Sequence, residues 1–287
     1  MSQPEANDRA AHAAAIQARR AAREARLRDP MGWLSLVGLH WLAPGPQRFG
    51  SSDTNDIVLH AEDGVVPPLA GTLEVADGRV LVRPAAAALT VDGRPIADRT
   101  ELVDDEADAP TMLELASLRL VLIRRGAGRQ ALRVRDVASP ALRAFEGLPF
   151  FDIDPRWRLT ARLVRANPGA TIRIPDVVGS VGDEVTPGDV EFDLDGRTHR
   201  LLALEGDSGR LWLVFGDQTN GRETYGGGRF LMTGPVQPDD TVEVDFNLAY
   251  NPPCAFSPYA TCPLPPSDNR LGVRVEAGER SWASRAE

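Results

Sequence analysis

Asp-Gly pairs between short runs of alternating apolar and polar residues constrain the fold of this chain more than any other feature. They are Asp77-Gly78, Asp92-Gly93 and Asp195-Gly196. An Asp-Gly pair tolerates the positive φ angles of a two-residue hairpin turn, and side chains alternate between the two faces of a strand. The pattern therefore predicts antiparallel hairpins, and several short strands joined by such turns are typical of a β-sandwich.

The 287 residues allow more than one domain. The predicted fold class is mainly β, with an N-terminal helix, a β-sandwich and then a second β-rich domain that ends in a long proline-rich loop. The predicted ranges are 1–39 for the N-terminal helical arm, 40–125 for the sandwich and 126–287 for the β-rich domain, which carries the candidate site.

The first 28 residues predict a helix, because "AAHAAAIQARRAAREARLR" holds strong helix formers and neither glycine nor proline. Its arginines allow two interpretations: an arm that binds a polyanion, or a solvated helix that packs through Ile16 and Leu27. Asp29 and Pro30 resemble the start of a second, short helix over "MGWLSLVGL".

Composition excludes several classes of function. The formal net charge is −9, which argues against nucleic-acid binding, since phosphate contacts need a positive surface. Every basic residue counted is arginine, so no lysine is available for a Schiff base or a phosphate-binding P-loop. Without a secretory signal or an apolar run of membrane length, we expect a soluble cytoplasmic protein with no membrane partner.

The segments "RFGSSDTNDIVL" and "LTVDGRPI" resemble a forkhead-associated (FHA) domain. The resemblance implies a sandwich whose loops read phosphothreonine. The family has an arginine after the glycine, but here Gly50 is followed by Ser51 and Ser52, and Asp92 stands where asparagine is expected. We therefore expect an FHA-like sandwich that does not bind phosphopeptides.

A second resemblance covers nearly the whole chain. "GWLSLVGLHWL", "FGDQTNGRETYGGGRFL" and "DFNLAYNPPCAFSPYATCPLPPSDNRL" resemble a bacterial family catalogued only as a domain of unknown function. The resemblance supplies no reaction. It implies a signature made of Asp245, Asn247, Tyr250, Asn251, Pro252, Pro253, Cys254, Cys262 and Asn269.

The proline-rich segment that follows Asp245 is the first candidate for chemistry. Asp245 and Asn247 are two positions apart on a predicted strand, so their side chains share a face. Prolines fix φ in the loop beyond, which also holds Asn251, Asn269 and Arg270. A stiff loop with these polar groups fits a ligand pocket. It equally fits a loop in which Asn and Asp satisfy stray backbone groups.

The cysteines are Cys254 and Cys262, and their spacing is not that of a C-x-x-C metal or redox site. Three interpretations stay open: two buried reduced thiols, one nucleophile, or a redox or structural pair. A nucleophilic cysteine needs a neighbour that lowers its pKa. The histidines considered as neighbours are His40 and His199, and neither has a local motif linking it to Cys254.

The glycine-rich turn is the second candidate. Asp217 and Thr219 begin it, and three glycines separate Tyr225 from Arg229. The glycines let backbone N–H groups approach an anion, or they form an ordinary tight bend. No phosphate-loop lysine follows them, and no histidine pair is spaced for a metal. We predict neither a metal nor a cofactor.

These candidates give a hypothesis of a polar pocket for a small anionic ligand, with a hydrolase-type enzyme as one form of it. Asp245 would be the acid or base, Cys254 the nucleophile if exposed, and Tyr225 a hydrogen-bond donor. The ligand would be held by Arg229, Arg270, Asn247, Asn251, Asn269, Asp217 and Thr219. The alternative is a noncatalytic interaction protein in which the same residues brace the interface between the domains. The sequence leaves open whether the protein is an enzyme.

Overall fold

A computed structural model describes residues 3–85, 88–91, 93–96, 98–126, 128–177, 179 and 181–282. Contacts divide them into two compact units. The sandwich unit runs from Leu27 to Phe145, and the curled-sheet unit combines the residues up to Arg26 with those from Glu146 onward. The domain ranges 40–125 and 126–287 remain predictions for independently folding parts.

Helix α1 spans Gln3–Leu27, in agreement with the predicted N-terminal helix. Ile16 and Leu27 are buried, as the packed-helix interpretation requires. The second helix, predicted over residues 31–39, is wrong. Asp29 accepts a hydrogen bond from the Met31 N–H and closes only a turn. The apolar residues that follow form a strand, because their backbone pairs with a later strand of the same unit.

The sandwich unit consists of two sheets around one apolar core. The first has the strand order β1-β11-β10-β9-β6-β7 and the second β3-β2-β4-β5-β8. The strands are β1 Leu36–Trp41, β2 Gly45–Gly50, β3 Ile57–Val58, β4 Gly71–Ala76, β5 Arg79–Pro84, β6 Thr90–Val91, β7 Arg94–Pro95, β8 Thr100–Glu101, β9 Met112–Leu115, β10 Leu118–Arg125 and β11 Arg129–Asp136. A short helix α2, Pro140–Arg143, follows.

The hairpin turn predicted at Asp77-Gly78 joins β4 to β5, with φ angles of 53° and 73°. Gly93 also has a positive φ, between β6 and β7. Its partner Asp92, which stands at the asparagine position of the FHA pattern, lies outside the described residues.

The curled-sheet unit holds a six-stranded antiparallel sheet with the order β18-β17-β16-β15-β12-β19. Its end strands β18 and β19 contact each other, so the sheet closes almost into a barrel around an apolar core. The strands of the unit, including the separate hairpin β13–β14, are β12 Arg158–Arg165, β13 Thr171–Pro175, β14 Val181–Val185, β15 Gly188–Leu194, β16 Arg197–Glu205, β17 Arg210–Phe215, β18 Arg229–Pro235 and β19 Thr241–Asp245. The predicted Asp195-Gly196 turn joins β15 to β16.

Residues 246–282 contain no strand longer than an isolated bridge, as expected for the long loop. They still bury apolar residues: Phe246 makes edge-to-face contacts with Trp157, Phe192 and Phe215 in the core. The loop is therefore part of the folded body of its unit. Short 3-10 turns in the chain are Trp33–Ser35, Pro155–Trp157, Asp207–Gly209, Phe246–Leu248, Pro253–Ala255 and Ser267–Asn269.

Candidate functional site

The glycine-rich turn and the proline-rich loop meet in the structure. A Cβ atom added at Gly228 would lie 2.5 Å from Pro265 Cγ and 2.7 Å from the Phe215 carbonyl oxygen. Gly228 also has a φ of +91°, which strains any residue with a Cβ atom. The glycines therefore form a tight bend that lets the proline loop approach closely. Gly227 serves similarly, because its Cα faces the ring of Tyr225.

Three side chains from the two segments contact one another through hydrogen bonds: Tyr225, Cys254 and Cys262. Both cysteines are thiols, Cys254 half-buried and Cys262 buried. The backbone N–H of Cys254 donates to Cys262 Sγ at 3.1 Å. The Cys254 sulfur is hydrogen-bonded to the side chains of both Cys262 and Tyr225. We call these three residues the thiol cluster.

The thiol cluster favours an ionised Cys254. The hydrogen bond from Cys262 and that from Tyr225 lower the pKa of Cys254 to about 7, against the opposing effect of burial. Burial and the neighbouring Cys254 raise the pKa of Tyr225, which therefore stays a hydroxyl donor at neutral pH. Because the thiolate is the nucleophilic form of cysteine, these hydrogen bonds shift Cys254 towards its reactive form.

Arg229 lies at the centre of a buried network and not at the surface. Its guanidinium is fully buried and pairs with Asp217 at 2.8 Å. It also donates to the carbonyl oxygens of Val275, Ala277 and Glu279. Burial lowers the pKa of Arg229, although Asp217 opposes that effect. These bonds tie the glycine-rich turn to the last described part of the chain.

Asp217 and Thr219 belong to the same network. Asp217 Oδ1 accepts from the N–H and hydroxyl groups of Thr219, at 2.8 and 2.6 Å. It also accepts from the Val275 N–H at 3.2 Å. The structure thus brings Asp217, Thr219 and Arg229 together, and their bonds are to one another, to backbone groups and, for Thr219, to the Thr224 hydroxyl at 2.8 Å.

The asparagines of the signature also bond to backbone groups. Asn269 accepts from the Leu202 N–H and donates to the Leu202 and Val214 carbonyls, all within 2.9 Å. Asn251 donates from its side chain to the Arg280 carbonyl at 2.8 Å. This is the loop-bracing chemistry that the sequence left as an alternative, since irregular backbone needs partners that a sheet would otherwise supply.

Asp245 makes its hydrogen bonds with residues outside the thiol cluster. Its Oδ2 is 2.6 Å from His12 Nε2, and its Oδ1 accepts from the backbone and side-chain N–H groups of Asn247. The Asn247 side chain in turn accepts a hydrogen bond from the Asp154 N–H and donates one to the Asp154 carbonyl. In the described part of the chain no hydrogen bond connects Asp245 with Cys254. The predicted catalytic residues therefore form two groups.

Helix α1 contributes residues that the sequence analysis did not assign to the site. Besides His12, Arg23 pairs with the buried Glu279 at 3.0 Å and donates to the Asn251 carbonyl at 2.8 Å. Burial raises the pKa of Glu279 despite Arg23. A helical signal existed: His12, Ile16 and Arg23 fall on one face, and Ile16 was already expected to pack. The charged N-terminal helix is thus joined to the signature region.

Arg270 differs from Arg229 because it is exposed. Its backbone bridges to Gly216 and its guanidinium lies beside that glycine. Within the described residues Arg270 forms no ion pair. Unlike Arg229, it therefore has a guanidinium without a carboxylate partner. The described residues also contain no group of three or more His, Cys, Asp or Glu side chains that could hold a metal ion.

The histidines weighed as partners of Cys254 have other surroundings. His40 lies in β1 of the sandwich unit, where burial lowers its pKa. His199 stacks on Phe192 with ring centroids 5.7 Å apart. Activation of Cys254 therefore comes from hydrogen-bond donors and not from an imidazole.

Comparison with known proteins gives one sequence family and several solved structures, two of which follow. A family model described as "Protein of unknown function (DUF1684)" matches residues 143–280. An uncharacterized protein of Haloarcula marismortui, solved by solution NMR, is 35% identical, with 49% of this chain and 80% of that chain covered and a TM-score of 0.42. None of the curated proteins matches the chain.

The second similar structure is the FHA domain of the CT664 protein from Chlamydia trachomatis, the domain type that the N-terminal part resembles. It is 17% identical over 34% of this chain and 94% of that chain, with a TM-score of 0.24. Separately, the helices among the described residues are too short or too polar to cross a membrane.

Proposed function

Residues 143–280 match a family whose description names no reaction, so we propose the function of this protein from its own geometry. It is a cysteine-dependent enzyme of the hydrolase type that acts on a small polar substrate. The observation that carries this proposal is the thiol cluster, in which a half-buried Cys254 receives hydrogen bonds from Tyr225 and Cys262.

The proposed chemistry is acyl transfer. The Cys254 thiolate attacks the carbonyl carbon of an ester or thioester, and the leaving group departs with a proton. Water then attacks the acyl-enzyme, which returns Cys254 as a thiolate. Tyr225 would hydrogen-bond the thiolate in the resting state and the developing charge during the reaction, since preorganised donors stabilise such charge.

The proposed anion recognition belongs to Arg270. Arg229, the other predicted arginine, already uses its guanidinium on Asp217 and three carbonyl oxygens. Arg270 is exposed and follows Asn269 at the edge of the proline loop. A planar guanidinium there would bind a substrate carboxylate or phosphate bidentately.

The acid–base role of Asp245 also remains a proposal. Its partner is His12 at 2.6 Å, so any proton transfer at this position would involve the pair. Asn247 would orient the carboxylate through its two hydrogen bonds. Asn251 and Asn269 would act by holding the loop that carries Cys254.

The test is to trap the acyl-enzyme. The full-length protein is incubated with p-nitrophenyl esters whose acyl groups are neutral or carry a carboxylate, and intact mass and peptide mapping follow. We expect an acyl adduct on Cys254, which Cys254→Ala removes. Arg270→Ala should weaken reaction with the carboxylate-bearing esters and leave the neutral esters unchanged.

The control is Cys262→Ser, which keeps a hydroxyl donor beside Cys254. It should retain acylation at Cys254. Folded protein that acquires no adduct on Cys254 from any ester, while an alkylating reagent does modify that thiol, would contradict the hydrolase proposal.

A noncatalytic interaction protein is the second candidate. The observation that favours it is that the side chains of Arg229, Asn247 and Asn269 hydrogen-bond to groups inside the protein. Under this proposal the residues only brace the loop, and Cys254→Ala would leave partner binding intact. A screen for ligand-induced thermal stabilisation separates the two, since only the enzyme proposal predicts that Arg270→Ala abolishes stabilisation by a small anion.

For cellular context we propose the cytoplasm, where reductants keep thiols such as Cys254 and Cys262 unlinked. We propose no nucleic-acid partner, because of the charge of −9. We also propose no phosphopeptide binding by the sandwich unit. There the Ser51 hydroxyl donates to the Val66 carbonyl, and serines replace the arginine of the FHA pattern.

A further inference from the structure

We infer that Cys254 and Cys262 form a redox pair that reduces hydroperoxides, with Cys254 as the attacking thiol and Cys262 as the resolving thiol. This activity goes beyond the proposed hydrolase and shares with it only the reactivity of Cys254. The sequence left a redox pair as one of three interpretations of these cysteines, and their spacing is not that of a C-x-x-C motif. The inference follows from the contact between Cys254 and Cys262 in the loop.

The two cysteines lie close together in space. Cys262 Sγ lies 3.1 Å from the backbone nitrogen of Cys254, and the two side chains are themselves hydrogen-bonded. A disulfide needs its Cα atoms roughly 4.4–6.8 Å apart. A sulfur in contact with the main chain and the side chain of the other cysteine is compatible with that range without a large movement of the loop.

The two cysteines differ in their exposure to solvent. Cys254 is half-buried, whereas Cys262 is only 3% exposed. Cys254 is therefore the more accessible residue of the two, and we assign the attack on peroxide to it. The hydrogen bonds around Cys254 favour its thiolate, and a thiolate that is accessible and next to a second thiol has the features of a redox-sensing cysteine.

Prolines stiffen the segment that joins Cys254 to Cys262. Pro253 precedes Cys254, Pro263 follows Cys262, and Pro258 stands between them. The 3-10 turn Pro253–Ala255 fixes the backbone at Cys254. The Val177 N–H donates to the Cys262 carbonyl at 3.0 Å and fixes the other end. The thiols thus stay adjacent after the first oxidation, which favours condensation over further oxidation.

The reaction balances as follows. The Cys254 thiolate attacks the terminal oxygen of ROOH, the O–O bond breaks, and the alkoxide takes a proton to leave as ROH, which produces a sulfenic acid. The Cys262 sulfur then attacks Cys254 Sγ. The S–S bond forms, the S–O bond breaks, and hydroxide leaves with the Cys262 proton as water. The two thiols lose two electrons to the peroxide, and a small dithiol reductant would restore them.

The test uses the full-length protein, reduced, freed of reductant and exposed to one equivalent of hydrogen peroxide. We expect intact mass to fall by two hydrogens and peptide mapping to find a Cys254–Cys262 disulfide that dithiothreitol reverses. Cys262→Ser should stop at the sulfenic acid, which dimedone traps on Cys254. Cys254→Ser should not react, and Tyr225→Phe should react about tenfold more slowly, because one hydrogen bond to the thiolate is lost.

The outcomes separate this inference from the hydrolase proposal. Cys254 that is alkylated readily in the native protein but forms neither sulfenic acid nor disulfide overturns the redox inference alone. Disulfide formation without any acyl adduct supports the inference and counts against the hydrolase. A native Cys254 inert to alkylation, peroxide and esters overturns both.

Discussion

His12 Nε2 lies 2.6 Å from Asp245 Oδ2, which joins two residues that are 233 positions apart. Both side chains are nearly buried, at 8% and 5% exposed. The first helix and the end of the last strand of the curled-sheet unit are thereby fixed to each other. The contact links Asp245, at the start of the loop signature, to a residue far outside the family match of 143–280.

His12→Ala should destabilise the protein by about 1–3 kcal/mol, because it leaves the buried Asp245 carboxylate without its partner. Chemical denaturation followed by circular dichroism measures the change. The matched control is Gln17→Ala, an exposed position on the same helix, which should change stability little. Equal effects of the two substitutions would mean that the His12–Asp245 contact contributes nothing.

Arg229→Met should cost about 3–5 kcal/mol, the usual result of removing one partner of a buried ion pair. Its guanidinium is 0% exposed and joined to Asp217 and three carbonyls. Arg270→Ala should change stability by less than about 0.5 kcal/mol, as for exposed positions. Denaturant midpoints of the two variants check this. A mild effect of Arg229→Met would return that arginine to the ligand-binding role.

Alkylation of Cys254 by iodoacetamide should rise with pH and level off above an inflection at about 7, the lowered pKa of this thiol. Tyr225→Phe should move the inflection upward by about one pH unit, because a donor to the thiolate is removed. Since the folded pKa is lowered from 9.0, the thiolate stabilises the fold above pH 9 and this contribution disappears as the pH falls through about 7.

The measurement behind that prediction is a set of peptide-resolved alkylation rates, so that Cys262 is counted separately. In folded protein, the alkylation rate of Cys254 could instead show its inflection near the ordinary pKa of a thiol. That result would contradict the activation of Cys254 on which both proposals depend.

Gly228→Ala should cost about 1–3 kcal/mol more than Gly221→Ala, because its new methyl group meets Pro265 and the Phe215 carbonyl. Gly221 is a matched control: its φ of +75° gives similar backbone strain, and a Cβ there meets nothing within 4 Å. Thermal denaturation compares the two. Gly228→Ala should also slow alkylation of Cys254 in the native state, since it pushes the turn that carries Tyr225 away from the loop.

The sequence predicts the hairpins well because their signal is local. Asp77-Gly78 and Asp195-Gly196 need only their own backbone preferences to form turns. The segment at 31–39 failed for the opposite reason: its apolar residues suit a helix, and pairing of Leu36 to Trp41 with β11 overrides that preference. Helix propensity is a weak signal where a long-range strand partner exists.

At the candidate site the residues were predictable and their partners were not. Residue type indicated that Arg229 and Asp217 would be charged groups of one cluster. Nothing in one sequence says that Arg229 donates to the carbonyl oxygens of Val275 and Glu279. The pairing of Cys254 with Tyr225 joins positions in two segments, and only the close approach at Gly228 brings them together.

The order of elements has a consequence for synthesis on the ribosome. Helix α1 leaves the ribosome before the sandwich unit, whereas its partners Asp245, Asn251 and Glu279 leave after it. All of the sandwich unit lies between them in the chain. The sandwich can therefore fold while α1 waits as a free amphipathic peptide, and contacts of such high sequence separation form slowly. A nascent chain arrested before residue 245 should leave α1 open to proteolysis, and a released chain should protect it.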